Sequence, residues 1–186
     1  MKFLISVLCL MLAAAPGTAA PSAGKAKQPL ARYEYVRLLM GVKTRIVLYA
    51  PAEAKAERAC AAAFARVARL DEVMSDYRPS SELMRLCAQA GGPPVRVSRD
   101  LFDVLQRSLR LAERSEGAFD PTIGPLIALW RQARQAKQIP DPGALESARA
   151  LVGWQRVRLD PQARTAHLLV PGMRLDLGGI GKGYAC

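Results

Sequence analysis

The chain joins a strand pattern to a glycine-rich run in Met173-Arg174-Leu175-Asp176-Leu177-Gly178-Gly179-Ile180-Gly181-Lys182-Gly183-Tyr184. Apolar residues alternate with polar ones up to position 177, as in a half-buried strand. Because glycine lacks a Cβ atom, the backbone that follows can approach a bulky anion closely. Lys182 can neutralise negative charge, and Asp176 can accept from a hydroxyl or ring N–H, or help hold a metal. Taken alone, the run fits either phosphate binding or a plain glycine turn.

The run matches neither of two common phosphate-binding signatures. A Walker A loop requires Gly and then Ser or Thr where this sequence has Asp176 and Gly183. A dinucleotide-binding fold requires a helix, a second strand and an acid roughly 20 residues further on, and the sequence given stops at Cys186. A nucleotide site here would be of another type.

Hydrophobic periodicity predicts helices in the middle of the chain and strands towards both ends. The predicted strands cover 33–49 with a break at Met40-Gly41, 95–97, a hairpin over 156–170, and 173–177. The predicted helices cover 52–75, 82–87 after a serine cap, 98–117 with Gly117 as the C′ residue, a helix starting at Asp120, and 141–153. This order predicts an α+β fold with a mixed or antiparallel sheet and packed helices, rather than a βαβ alternation.

Residues 1–20 are typical of a signal peptide, with a basic Lys2, an apolar stretch over 3–15 and small residues before a cleavage site. That stretch is shorter than the roughly 20 residues that span a bilayer. Residues 21–32 then predict a polar linker, and 33–186 a single domain. We expect a periplasmic protein without a lipid anchor, because Cys9 lies inside the apolar stretch.

The formal net charge of +11 suits an anionic ligand or a membrane surface. The basic residues are scattered over helices, which equally fits a solvated face, and export argues against a nucleic acid partner. Cys60, Cys87 and Cys186 would remain after cleavage, so no disulfide framework is expected. The only histidine, His167, falls in a strand pattern, which excludes a histidine-based triad. The sequence does not set the oligomeric state.

A corner over 117–126 and a turn at Tyr77 are the other candidate binding features. The corner combines glycines, prolines and Asp120 between two helices. It is either a tight turn or a place where backbone groups of Ala118, Phe119 and Asp120 read the edge of a flat ring. Tyr77 begins a proline-containing turn, where its ring can stack on a ligand or simply pack.

Four motifs occur in a fixed order and together resemble the bacterial FAD:protein FMN transferases of the ApbE family. They are Met40-Gly41; Asp71-x-x-x-Ser75-x-Tyr77 followed by Ser81-Glu82-Leu83; Gly117-x-Phe119-Asp120-Pro121-Thr122-x-Gly124-Pro125-Leu126 with Leu129-Trp130; and the run from Asp176 to Tyr184. The similarity extends from about residue 33 to 186.

The resemblance implies a T-fold-like α+β enzyme that uses Mg²⁺ to cleave the pyrophosphate of FAD, links FMN to a Thr or Ser of an acceptor protein and releases AMP. The implied acceptors are subunits of membrane redox complexes, at the outer face of the inner membrane. The implied FAD contacts are Met40, Tyr77, the backbone of Ala118, Phe119 and Asp120, and the side chains of Asp176 and Lys182. Gly179 would offer its carbonyl oxygen to the metal. No catalytic base is implied among these positions.

Three differences from the family pattern accompany the resemblance. Family members continue for more than a hundred residues and carry the side-chain metal ligands there, so we expect this domain to be incomplete at its C-terminus. Cys87 stands where an Asn is usual, and Cys9 is misplaced for a lipobox. Two alternative functions are a periplasmic FAD pyrophosphatase and a flavin-binding protein without turnover. A third alternative is an inert product of a truncated gene, with an exposed sheet edge after Leu177.

Overall fold

A computed structural model describes residues 28–186. The predicted signal peptide and most of the predicted linker lie outside these residues. The first strand begins at Ala31, so residues 31 and 32, which were predicted as linker, belong to the folded domain. No helix among residues 28–186 combines the length and the apolar character that a membrane crossing needs.

The first strand pattern forms a β-hairpin, β1 (Ala31–Leu39) and β2 (Val42–Ala50), paired antiparallel in one register throughout. The turn at Met40-Gly41 has positive φ at both residues, 50° and 72°. This backbone matches a two-residue hairpin turn whose twist suits the flanking strands. The predicted break is therefore the hairpin turn itself, and it is the first of the four motifs.

Six helices occur among the described residues, and most begin where the sequence predicts. They are α1 (Glu53–Met74), α2 (Glu82–Cys87), α3 (Arg99–Arg114), α4 (Gly124–Ala136), α5 (Pro142–Ala150) and α6 (Gly181–Ala185). Ser81, Ser98 and Asp141 cap α2, α3 and α5, each accepting a hydrogen bond from a backbone N–H three residues on.

Two helix ends differ from the prediction. Helix α4 begins at Gly124, because Asp120 does not cap it and instead closes a turn on Thr122. At the end of α3, the left-handed residue is Glu116, with φ 52°, and Gly117 follows it with φ 85°. The N–H of Gly117 donates to the carbonyl oxygen of Ala112 at 2.8 Å, so Gly117 is the C″ residue rather than C′ and the helix ends one residue earlier than expected.

A second sheet has the order β3-β5-β4, with strands β3 (Val95–Arg96), β4 (Val157–Asp160) and β5 (Thr165–Leu168), all antiparallel. Its inner face and helices α2 and α3 enclose the apolar core. The core includes fully buried leucines at positions 83, 101 and 105. The predicted α+β class with antiparallel sheets is confirmed.

The segment 173–177 is not a strand of either sheet, which corrects the prediction. Met173, Leu175 and Leu177 are buried, so the alternation is present. However, the N–H groups of Met173, Leu175 and Asp176 donate to the Val170 carbonyl, the Cys87 sulfur and the Pro121 carbonyl, respectively. The hydrogen-bond acceptors therefore come from three separate segments and not from one neighbouring strand. The segment, which we call the strap (173–177), threads through the core as extended chain.

The expected exposed sheet edge after Leu177 is also absent from the described residues. The carbonyl oxygen of Leu177 accepts hydrogen bonds from the N–H groups of Ile180, at 3.1 Å, and Gly181, at 2.7 Å. The chain then enters the short helix α6. A sheet edge therefore gives no reason to expect instability at this point.

Candidate functional site

A cavity of about 450 Å³ brings together the first, second and fourth sequence motifs. One wall is the hairpin turn at Met40-Gly41, and another is the end of α1 with the loop that follows it. The glycine run supplies the third wall through Leu177, Gly178, Gly181 and Lys182. We call this space the Tyr77 cavity, since Tyr77 stands on its rim with 75% of its surface exposed.

Hydrogen bonds within the second motif fix the loop that carries Tyr77. The hydroxyl of Ser81 donates to the carbonyl oxygen of Ser75 at 2.6 Å. The hydroxyl oxygen of Ser75 in turn accepts from the N–H of Tyr77 at 3.3 Å. An ion pair of 3.1 Å between Arg78 and Asp71 ties the far side of the loop to α1. The motif residues thus build a rigid support for an exposed aromatic ring.

Arg131 on α4 connects Tyr77 to two acids. Its guanidinium lies 2.5 Å from a carboxylate oxygen of Asp76 and 3.4 Å from one of Asp176. The same guanidinium stacks 4.0 Å from the centre of the Tyr77 ring, a cation–π geometry. One face of the Tyr77 ring is therefore covered by Arg131. The other face is the one available to a flat ligand.

Asp176 is held in a partly desolvated environment, with 13% of its side chain exposed. Burial raises the pKa of its carboxyl group. The N–H of Gly178 donates to this carboxylate at 2.7 Å and lowers the pKa, whereas the nearby Asp76 carboxylate raises it further. Arg131 lowers it by its positive charge. Arg131 thus compensates two carboxylates that would otherwise repel each other.

The glycines of the run differ in how closely their neighbours approach, and Gly179 has a tighter neighbour than Gly181. A Cβ atom on Gly179 would lie 3.1 Å from a ring carbon of Phe119, and one on Gly181 would lie 3.7 Å from the terminal carbon of Met40. The run is thus packed between the third motif and the hairpin turn. Lys182 is exposed at the start of α6 and lines the Tyr77 cavity, as a phosphate-neutralising residue would.

The donors around Gly179 show whether the described residues fit the predicted metal contact. Among residues 28–186, no cluster of three or more His, Cys, Asp and Glu side chains is placed to hold a metal ion. The Gly179 carbonyl oxygen accepts no hydrogen bond from the described backbone, and an uncommitted carbonyl is a ligand that Mg²⁺ takes. The described residues therefore fit one ligand position of a magnesium site.

The third motif forms a corner whose acid is turned inward. Asp120 accepts hydrogen bonds from the N–H and hydroxyl of Thr122 and, through its other oxygen, from the N–H of Trp154 at 3.1 Å. The N–H groups of Ala118 and Phe119 donate to Ser115. The carbonyl oxygen of Asp120 accepts from the N–H of Ile123 at 3.4 Å, so the groups left to contact a ring edge are the carbonyl oxygens of Ala118 and Phe119 and the N–H of Asp120.

The structure brings only some of the predicted residues into the Tyr77 cavity. Met40, Tyr77 and Lys182 line it, and Asp176 adjoins it through Arg131. The stretch 118–120 does not line it and contacts the glycine run through Phe119. The FAD contacts assigned to all these residues stay predictions.

Sequence reasoning missed two residues of the site, Asp76 and Arg131. They lie far apart in the chain, and each resembles an ordinary surface charge when the sequence is considered alone. A pattern signal was available only for their neighbours: Ser75 and Tyr77 of the second motif stand on either side of Asp76, and the Leu129-Trp130 pair of the third motif precedes Arg131. The ion pair itself becomes visible only when α4 is packed against the loop after α1.

Comparisons with known proteins identify relatives of this chain. The family model described as "ApbE family" matches residues 40–186. The chain is 36% identical over 152 residues to an FAD:protein FMN transferase of Klebsiella pneumoniae, covering 82% of this chain and 47% of that protein. It is also 36% identical over 159 residues to one of Treponema pallidum, covering 82% and 44%.

A solved structure shows the same fold. The flavin transferase ApbE from Vibrio cholerae, as an H257G mutant, superimposes with a TM-score of 0.76 and 26% identity, covering 83% of this chain and 53% of that one. The chain spans about half the length of the curated relatives it matches. The family match extends from the hairpin turn to the end of the glycine run, and on this basis the chain belongs to the ApbE family.

Proposed function

We propose that the protein containing this chain is an FAD:protein FMN transferase. It would transfer FMN from FAD to a Thr or Ser of an acceptor protein, with Mg²⁺, and release AMP. The single observation that carries the proposal is the Tyr77 cavity, where a stacked aromatic ring, a lysine and a glycine-rich backbone face the same space. These are the elements that a ligand with a flat ring and a pyrophosphate needs.

Tyr77 and Lys182 of the cavity, and Arg131 and Gly179 beside it, each have a defined part in this proposal. Tyr77 would stack its free face on a ring of FAD, with Arg131 holding its other face. Lys182 would stabilise negative charge on the pyrophosphate by its ammonium group. Mg²⁺, when bound at the Gly179 carbonyl and at ligands outside the described residues, would neutralise the pyrophosphate and the developing charge of the leaving group.

We further propose that the complete protein acts in the periplasm on a subunit of a membrane redox complex. The leader pattern of residues 1–20 supports export. The relatives named FAD:protein FMN transferase support a protein acceptor. The acceptor would present its hydroxyl in line with the pyrophosphate bond that breaks, because phosphoryl transfer needs that alignment.

The test is flavin transfer by the complete gene product. It is incubated with FAD, Mg²⁺ and a candidate acceptor domain, and covalent flavin is detected by its fluorescence in the denatured acceptor while AMP is quantified. We expect both products in equal amounts. Free FMN with AMP but no bound flavin would instead indicate an FAD pyrophosphatase, and flavin binding without AMP a protein that only stores flavin.

Matched variants connect the result to the Tyr77 cavity. Lys182→Ala and Tyr77→Ala should each lower kcat/KM about tenfold or more, since a charged hydrogen bond, or the stacking of a heterocyclic base on an aromatic side chain, is worth about 1–3 kcal/mol. Lys55→Ala is the control, because Lys55 is an exposed lysine on α1 outside the cavity. Equal rates in all three variants would contradict the assignment of this cavity.

A further inference from the structure

A second cleft adjoins the glycine run, with a volume of about 420 Å³. Gly179, Ile180, Gly183 and Tyr184 line it, whereas Gly178, Gly181 and Lys182 line the Tyr77 cavity. The same run of chain therefore contributes to both. The other wall of this second cleft is helix α3, through Arg107, Arg110, Leu111 and Arg114. We call it the arginine cleft.

Three arginines of α3 point their charge into one shared space. Arg107, Arg110 and Arg114 are spaced by three and four residues, so they lie on one face of the helix. Along the helix axis they extend over about 10 Å, at 1.5 Å per residue. None of the three forms an ion pair with any residue in the part of the chain that the structure describes.

Two acids of α3, Asp100 and Asp103, are committed to other partners, and the third, Glu113, does not line the arginine cleft. Asp100 is bound by Arg66 of α1, and Asp103 lies 3.6 Å from Arg99. A row of arginines on a helix face is often simply solvated. Here, however, the row borders a concave space whose other wall contains glycines, so an anion can approach the backbone closely as well.

The arginine cleft also has an apolar side. Leu111 and Ile180 line it, and Leu111 is 40% exposed. The guanidinium of Arg107 lies 5.7 Å from the centre of the Tyr184 ring. Burial raises the pKa of the Tyr184 hydroxyl, so this group stays protonated at neutral pH and can donate a hydrogen bond. A small inorganic anion would leave these apolar groups unused.

We propose that the arginine cleft is a binding site for a nucleoside monophosphate. Arg110 and Arg114 bind its phosphate through their planar donor groups, which match phosphate oxygens in pairs. The apolar groups of the cleft contact its base. This inference needs only the cleft and does not depend on flavin transfer. It gives the glycine run a second ligand in addition to the one proposed for the Tyr77 cavity.

The experiment is equilibrium dialysis of labelled AMP against the complete protein, without Mg²⁺ and with saturating FAD to fill the Tyr77 cavity. The double variant Arg110→Gln/Arg114→Gln should weaken AMP binding at least about tenfold, because one charged hydrogen bond is worth about that much. The double variant Arg58→Gln/Arg134→Gln removes the same charge from exposed helix positions outside the cleft and should leave the affinity for AMP unchanged.

Three results would overturn the proposal: no saturable AMP binding, an equal loss of affinity in both double variants, or adenosine or pyrophosphate binding as tightly as AMP. The last outcome would show that phosphate and base are not both recognised. FAD binding is titrated on the same proteins. If the protein binds AMP through the arginines but does not bind FAD, the result counts against the flavin transferase proposal alone. If it binds FAD but shows no arginine-dependent binding of AMP, the result counts against the arginine cleft alone.

Discussion

Replacing Arg131 by methionine should destabilise the protein by about 2–3 kcal/mol at pH 8. Methionine keeps the apolar stem and the helix propensity but removes the charge. Asp76 and Asp176 have 10% and 13% of their side chains exposed, so both would lose a cation that they cannot replace with bulk water. Deleting one partner of a fully buried ion pair costs about 3–5 kcal/mol, and the 30% exposure of Arg131 reduces that figure.

The cost should depend on pH in a defined direction. In the parent protein, burial raises the pKa of Asp176 and Arg131 opposes the rise. Without Arg131 the folded-state pKa lies further above the unfolded value. A carboxyl group with a raised folded-state pKa lowers the free energy of unfolding, and the full reduction applies above that pKa. Protonation of the group removes the reduction as the pH falls. We therefore expect a smaller loss of stability at pH 5 than at pH 8.

Urea unfolding at both pH values measures the effect, provided that the slope of the transition stays the same. Arg134→Met is the control, since Arg134 is an exposed arginine of the same helix without an ion pair among the described residues. Combining Arg131→Met with Asp76→Asn gives the coupling energy of the pair. A loss below about 0.5 kcal/mol at pH 8, or one equal to the control, would refute the bridging role inferred from the contacts.

Three further predictions concern packing, acid stability and a thiol. Gly124→Ala should cost about 1–3 kcal/mol in urea unfolding, because its Cβ would meet a backbone carbonyl oxygen at 2.5 Å, whereas Gly183→Ala has open space and should not. The Arg66 hydrogen bond lowers the pKa of Asp100, so the pair stabilises the fold above the unfolded-state pKa of Asp100, and this stability is lost as the pH falls through its folded-state pKa. Asp100→Asn should therefore make the urea midpoint less dependent on pH between pH 4 and pH 2. An unchanged pH dependence of the midpoint would count against the pair. Burial raises the pKa of the Cys87 thiol, so iodoacetamide should label this thiol only after the protein unfolds. Peptide mass spectrometry measures the labelling, and rapid labelling of the native protein would contradict the burial of Cys87.

The sequence predicted the elements whose signals are local. The amphipathic spacing of α1, the serine caps of α2 and α3 and the two-residue turn at Met40-Gly41 each depend on neighbours in the chain. The strap was predicted as a strand because apolar and polar residues do alternate along it. This alternation indicates which side chains are buried, but it does not indicate which groups accept the hydrogen bonds of the backbone.

The candidate site was predictable only in part, for a related reason. Tyr77 and Lys182 stand in motifs that can be recognised by composition and spacing. The ion pair that holds Tyr77 links position 131 to position 76, and no periodicity connects such distant residues. The inward turn of Asp120 likewise depends on Trp154, which packs beside it only in the folded chain.

The strap also has a consequence for the order of folding. Its contacts join residues separated by 88 positions, from Leu175 to Cys87, and by 98 positions, from Arg174 to Asp76. Contacts of such high sequence separation carry a large loop-closure entropy and tend to form after local structure. The glycine run follows the strap directly, so the ligand-facing backbone would become ordered late in folding. Ligand binding would then report completion of the fold more sensitively than helix content does.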